Sequence, residues 1–421
     1  MKVKIFILIF FLLSTKAQSR LTLEECYQNA KNNYPLSKNF EKYNKLSNLK
    51  LRNLNHQYYP GMSLFGLVQY QSNVTKLPFK IPIPGITIPD IAKDQYKIGI
   101  NVNQIIWDGG LTSTSIELER NSNILENQNN EIELFKLKQK INDAYFSILL
   151  LNKKAELLKI ATSDLEAQLK LFNSRIENGV MLPSAATMLK AELLKISQSM
   201  DEIKSLMQTS LDALSILIGR EIKDTEEISI PSLEKNNFDI NLRKRPEYRS
   251  FDLTKSNLSI MRNLTDAKYT PKFSTFMQAA YGRPGLDMFN PDFQGFYIIG
   301  VRTSWNLWNW NVGANEKEIL ALRSEILDNQ EKTFTINLNS VAKKYKNDIE
   351  KLGKMLAKDK EIIRLRSEIL EQVKSQLDNG IITTTEYLLE FDAITNAKLN
   401  AESRQIELLK TKFDYMILAG E

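Results

Sequence analysis

In 421 residues the chain carries 56 basic and 50 acidic side chains, a balance that singles out no partner and gives no reason to expect nucleic acid. One histidine, His56, and one cysteine, Cys26, leave no metal set, disulfide framework or nucleophile–base pair, and no phosphate loop is present. No catalytic residue, metal or cofactor is therefore expected, and the chain does not read as an enzyme.

Residues 1–19 have the order of a secretory signal: Met1-Lys2-Val3-Lys4, then an apolar stretch from Ile5 to Leu13, then small and polar residues from Ser14 to Ser19. Cleavage is expected between Ala17 and Arg20. The apolar stretch is far shorter than the roughly 20 residues a helix needs to cross a bilayer. No later run is longer, so any membrane span must be built of strands. Cys26 reads as a small apolar residue on a helix, and His56 as part of a structural corner before Tyr58-Tyr59.

The first repeat covers residues 20–220. Residues 21–58 are helical in pattern, and Tyr59-Pro60-Gly61 breaks them. A β-hairpin over about 61–106 follows. In its second strand Tyr96, Ile98, Ile100 and Val102 face one way and Lys97, Gly99, Asn101 and Asn103 the other. Strands of about ten residues suit a tilted crossing of the hydrocarbon layer. After Trp107-Asp108-Gly109-Gly110, a helix predicted over 111–177 contains no Pro or Gly and would be roughly 100 Å long at 1.5 Å per residue. Leu137, Ala144, Leu151, Leu158, Leu165 and Phe172 form a heptad row along it, and Leu134, Ile141, Ile148, Ala155, Leu169 and Ile176 nearly complete a neighbouring one. The tip at 178–182 turns on Asn178-Gly179, and a shorter helix occupies 183–219. Residues 221–240 lose the heptads and read as an irregular equatorial linker.

The second repeat, 241–421, follows the same plan: a helix, a hairpin over about 272–306, a long helix over 312–378, a tip at 379–384 and a helix over 385–419. Pro35 and Pro246, Tyr58 and Tyr269, Pro60 and Pro271, Phe65 and Phe276, and Tyr70 and Tyr281 all lie 211 positions apart. Trp107 and Trp308, and Asn178-Gly179 and Asn379-Gly380, lie 201 apart. The lost ten residues fall within the loop of about 72–94, where length changes are tolerated. In the second hairpin Tyr297, Ile299, Val301 and Trp305 share a face opposite Gly300, Arg302 and Ser304, although Phe296 and Ile298 blur the alternation. Ile349, Leu356, Ile363, Leu370 and Leu377 repeat the heptad row.

The fold expected is an α+β membrane protein, a duplicated unit of β-hairpin plus long coiled-coil helical hairpin. Four strands cannot close a barrel, and an open edge in lipid leaves unpaired backbone groups. Three copies would supply a 12-stranded trimeric β-barrel continuous with an α-helical barrel. Lys97, Asn101, Asn103 and Arg302 would then line its lumen, and Trp107, Trp305, Trp308 and Trp310 would form an interfacial aromatic girdle.

These residues resemble the TolC family of outer-membrane efflux and secretion ducts. The resemblance runs from Leu21 to the end. It rests on Leu21-Thr22-Leu23-Glu24-Glu25 through Asn32-Asn33-Tyr34-Pro35, on Ile106-Trp107-Asp108-Gly109-Gly110, and on Ala213-Leu214-Ser215-Ile216-Leu217-Ile218-Gly219-Arg220. Arg245-Pro246-Glu247 and a Gly at each helical tip complete it. It implies a homotrimer with its barrel in outer-membrane lipid and its helices forming a periplasmic tunnel. It further implies tip-first docking on a periplasmic adaptor (membrane fusion protein) that serves an inner-membrane pump of RND or ABC type. Adaptor contact would fall on Arg175, Asn178, Gly179, Val180, Asn379 and Gly380. The family closes its tunnel mouth with acidic residues of the second copy's hairpin. Glu386 matches the first such position, the second falls on Leu389, and Glu390 shares the helix face of Glu386. The reading is of a passive exit duct for efflux or type I secretion. A periplasmic coiled-coil scaffold or adaptor without a pore is the alternative.

Overall fold

The computed structural model describes residues 20–75, 91–222, 228–233 and 241–420. The expected signal segment, most of the loop after the first strand, and much of the linker lie outside the described residues. In chain order the elements are α1 (Leu23–Asn33), α2 (Asn39–Asn55), β1 (Gly61–Tyr70), β2 (Asp94–Trp107), α3 (Leu111–Glu177) and α4 (Pro183–Ile218). They are followed by α5 (Pro246–Lys268), β3 (Lys272–Arg283), β4 (Gln294–Ser304), α6 (Val312–Asp378) and α7 (Thr384–Leu418).

The helical stretch expected over 21–58 is interrupted. Proline excludes the helical conformation from the residue before it, so Tyr34 is extended and Pro35–Lys38 form one tight 3₁₀ turn before α2 resumes. The start of α1 is fixed by a capping box: the Thr22 hydroxyl accepts from Glu25 N at 3.2 Å, and the Glu25 carboxylate accepts from Thr22 N at 2.8 Å. Pro183 opens α4, where its missing N–H costs nothing, and Gly219 ends that helix at φ 67°.

Two compact units cut across the two copies. One comprises residues 20–38, 130–222, 228–233, 241–248 and 333–420; the other comprises 39–75, 91–129 and 249–332. In the first, Leu158, Leu165 and Phe172 of α3 meet Leu189, Ile196 and Ile203 of α4 in one apolar cluster that also takes in Leu377, Tyr387 and Phe391. The heptad row of α3 is thus a true seam. In the second copy Leu377 of the expected row is buried in that cluster and Leu370 packs against it, while Ile349, Leu356 and Ile363 are half-buried; Leu338, Leu352 and Asp359 of a neighbouring row are buried as well. The α6 seam therefore draws on the expected row near the tip and on a neighbouring row elsewhere, and the latter contains a carboxylate.

The same unit holds a buried polar clasp. Leu21 and Ile228 form a parallel bridge, Ser229 N donates to Leu21 O at 3.1 Å, and Tyr145 Oη lies 2.6 Å from Ser229 O. Nearby, Tyr27 donates to Asn142 Oδ1, Asn142 Nδ2 donates to Asp414 Oδ1 at 3.0 Å, and Lys410 reaches Asp414 Oδ2 at 2.7 Å. Burial pushes the Tyr145 hydroxyl up to about 12 and the Cys26 thiol up to about 12, so both stay neutral and the thiol is inert.

The other unit carries a single antiparallel sheet in the order β1-β2-β3-β4. Its pairing runs from Gly61 opposite Asn103 to Tyr70 opposite Asp94, from Tyr96 opposite Arg283 to Trp107 opposite Phe273, and from Lys272 opposite Ser304 to Gly282 opposite Gln294. A bulge at Ile105–Trp107 shifts the register where β2 leaves the sheet. No described helix is long and apolar enough to cross a membrane.

Candidate functional site: a two-faced sheet and paired helical tips

Directly paired residues in an antiparallel sheet point to the same side, so the register assigns every strand residue to one of two faces. One face gathers Leu64, Val68, Ile98, Ile100, Val102, Met277, Ala279, Tyr297, Ile299 and Val301. The opposite face holds Ser63, Gln69, Lys97, Asn101, Asn103, Gln278 and Arg302. All four residues expected to line a lumen therefore share one side. Hydrogen bonds run across that side: Gln278 Nε2 donates to Asn101 Oδ1 at 3.0 Å, and Gln69 Nε2 donates to Gln95 Oε1 at 2.7 Å. Among the described residues, edge strands β1 and β4 have no strand partner on their outer sides. The sheet is open in the single chain.

Aromatic residues bracket the apolar face at both ends. At the helix end Trp107 packs on Phe273 at 5.8 Å, Trp308 meets Trp310 edge-on at 5.9 Å, and Trp305 Nε1 donates to Tyr269 O at 3.0 Å. At the loop end Phe293 stacks on Tyr281 at 5.7 Å and lies 6.3 Å from Tyr96. This second group was not read from the sequence. Its signal was the strand register, which a single sequence does not give.

The passage from sheet to long helix is built alike in both copies from unlike residues. Gly109 and Gly110 are left-handed at φ 73° and 87°, and Trp310 and Asn311, 201 positions on, are left-handed at 54° and 63°. A Cβ on Gly109 would lie 1.5 Å from Thr270 Oγ1, so glycine is required there. Trp310 instead projects its ring outward, 83% exposed. A bulky left-handed residue costs about 1–2 kcal/mol, which this turn tolerates.

At the tips the backbone is again duplicated. Gly179 and Gly380 adopt φ 71° and 69°. Val180 N donates to Arg175 O at 3.0 Å and Ile381 N to Gln376 O at 2.9 Å, each closing a Schellman motif. Asn178 and Asn379 each donate Nδ2 to a serine carbonyl one turn back. Arg175 pairs with Asp378 at 2.9 Å, tying the two tips together. Val180, Leu182 and Ile381 are each more than 70% exposed, an unusual density of bare apolar side chains.

Glu386 is the third residue of α7 and completes a capping box. Its Oε2 accepts from Thr383 N at 2.7 Å and from Thr383 Oγ1 at 2.9 Å, and these bonds hold its carboxyl below the usual carboxylate range. Glu390 faces α6 and accepts from Arg366 at 2.6 Å. Fourteen residues along α7 from Glu390, Arg404 reaches the buried Asp359 in the same seam. Among the described residues no cluster of side chains could hold a metal ion.

Sequence comparison finds no matching family model and no matching curated protein. The three-dimensional fold does match solved structures. The outer membrane protein VceC of Vibrio cholerae superposes with a TM-score of 0.70 at 14% identity, over 94% of this chain and 96% of that one. The CmeC outer membrane channel of Campylobacter jejuni gives 0.69 at 14% identity over 94% and 85% of the two chains. The open state of the MtrE outer membrane channel of Neisseria gonorrhoeae gives 0.67 at 14% identity over 94% and 89%. The chain has the fold of these channels, and the resemblance to the TolC family holds at the level of the fold.

Proposed function

We propose, from the fold shared with outer-membrane channels, that this chain is the outer-membrane conduit of a tripartite efflux or type I secretion system and works as a passive homotrimer. The observation that carries the proposal is the sheet, with one face apolar, the other carrying Lys97, Arg302 and the amides of Asn101, Asn103 and Gln278 among apolar residues, and both edges open. In hydrocarbon such edges must be paired, and a ring of three copies pairs them all in 12 strands. The apolar face then meets lipid between two aromatic belts, and Lys97, Asn101, Asn103 and Arg302 line the lumen. No step in this role requires catalysis.

The tips are the docking surface for a periplasmic adaptor and its inner-membrane pump. The exposed Val180, Leu182 and Ile381 supply apolar anchors around Arg175, Asn178, Gly179, Asn379 and Gly380. Glu386 rings the mouth in three copies while its Oε2 holds Thr383, with Glu390 behind it on Arg366.

Detergent-solubilised mass and planar-bilayer recording test the conduit: three chains per particle and stepwise conductance are expected, and a monomer that never conducts would refute it. Glu386→Gln keeps a capping side chain but removes the charge, so lowered cation preference with unchanged helix content supports the aperture role. Unchanged selectivity and divalent sensitivity would assign Glu386 to the cap alone. Crosslinks to an adaptor should start from residues 178–182 and 379–384; crosslinks from the sheet end would refute tip docking.

A further inference from the structure

We infer that the polar face of the sheet selects for organic anions bearing an aromatic ring, through Lys97, Arg302 and Lys272. This deepens the conduit proposed above and rests on it for which face looks into the lumen.

The strands distribute charge unevenly. Among their described residues the one acidic side chain is Asp94, and it lies on the apolar face, paired with Arg283. Charge on the lipid side is thus cancelled locally. The opposite face carries three cations and no carboxylate, and none of the three is ion-paired among the described residues. Lys97 shares a row with Gly282 and Arg302 one with Ser274, eight residues apart along β3, or about 27 Å at 3.4 Å per residue. Lys272, opposite Ser304, stands two residues beyond. The cations therefore form two levels, one near the loops and one near the helices, with the Asn101–Gln278 bond between them.

Each level is backed by an aromatic ring. The Arg302 guanidinium lies 4.9 Å from the Phe276 ring centre, and the Lys97 ammonium lies 5.9 Å from that of Phe296. Gly300 makes room for the first of these, since a Cβ there would lie 2.8 Å from Phe276 Cε1. Phe296, one of the two residues that blur the alternation of β4, is thus the seat of Lys97, and Phe276 of β3 is that of Arg302. A cation on a ring offers an anionic group its charge and the attached aromatic body a stacking surface, and low-dielectric walls sharpen the attraction.

The test is planar-bilayer recording on the full-length protein. Reversal potentials in a KCl gradient should show the chloride-to-potassium permeability ratio falling roughly tenfold on Lys97→Glu with Arg302→Glu, the low end of local counter-ion enrichment by a charged cleft. Lys97→Gln with Arg302→Gln should shift it the same way by less, which guards against misfolding of the reversed variant. Naphthalene-1-sulfonate added at the loop side should block unitary current, while 1-naphthylmethylammonium of similar size should not. A conducting pore whose ratio ignores both pairs of substitutions, or which the ammonium blocks more strongly, overturns this inference alone. A trimer that inserts and never conducts overturns the conduit and this inference with it.

Discussion

The two helical hairpins follow one backbone plan with different seam chemistry. Leu158, Leu165, Leu189 and Ile203 of the first are buried in an apolar cluster. At the same positions plus 201, the second has Asp359, Arg366, Glu390 and Arg404. The structure joins these as Asp359–Arg404 and Arg366–Glu390, where the first hairpin has four residues of one apolar cluster. Arg366 is 40% exposed and Asp359 is buried, so it is the Asp359–Arg404 pair that enforces register: desolvation offsets the attraction of a buried pair, but an unpaired buried member is strongly unfavourable. Both hairpins bury apolar residues, Leu377, Tyr387 and Phe391 in the second, and the second adds matched ion pairs to that burial.

The sharpest way to break this comparison is to put an ionic rung into the first hairpin. Leu165→Arg buries a charge with no counter-ion and should destabilise the α3/α4 seam by about 3–5 kcal/mol, as an uncompensated buried charge does. Adding Leu189→Glu should recover at least half. Native-state hydrogen exchange across α4 reads both, and a single substitution that costs nothing would show the seam to be solvated.

The reverse exchange is the next largest. Asp359→Leu leaves Arg404, about a quarter exposed, without its partner and should cost about 2 kcal/mol, whereas Asp359→Leu with Arg404→Ile should end about 1 kcal/mol above the parent. A double variant no better than the single one would mean that the pair is not held in the seam. Trp310→Gly, which gives the second sheet-to-helix turn the residue type of the first, should gain about 1 kcal/mol by removing left-handed strain, read from the thermal midpoint.

The starts of the returning helices differ in the same spirit. Thr383 caps α7, whereas the matching Leu182 offers α4 no side-chain bond. Thr383→Ala should cost about 1 kcal/mol and Leu182→Ser should gain up to about 1 kcal/mol in local opening free energy at the respective tips. The smallest effect is on pH. The Glu386 carboxyl is depressed in the folded chain, so its contribution is present above the ordinary carboxylate range and is lost as pH falls through its lowered value. Amide exchange at the α7 start should rise in acid relative to the α4 start, and Glu386→Gln should abolish that difference.

Much of the site was legible in advance where it depended on period. Alternation within β2 puts Lys97, Asn101 and Asn103 on one side of that strand and alternation within β4 puts Arg302 opposite Tyr297, Ile299 and Val301, while the register through β3 is what brings the two polar sides onto one face. The two glycine tips were legible because a left-handed residue at a helix end favours glycine. Glu390 was read as a companion of Glu386 at the mouth because helix spacing alone placed both on one face. Its contact with Arg366 joins residues 24 positions apart, and that meeting depends on how α6 and α7 pack.

By itself the sequence determined the strands, the long helices, their turns and the doubling, because each follows from a local period or from a residue with restricted backbone freedom. The tertiary structure decided the partners: which rows of α6 form its seam, which rings seat Lys97 and Arg302, and which face of the sheet holds its unmatched charge. Those depend on register between segments far apart in the chain, and a period names a face without naming what meets it.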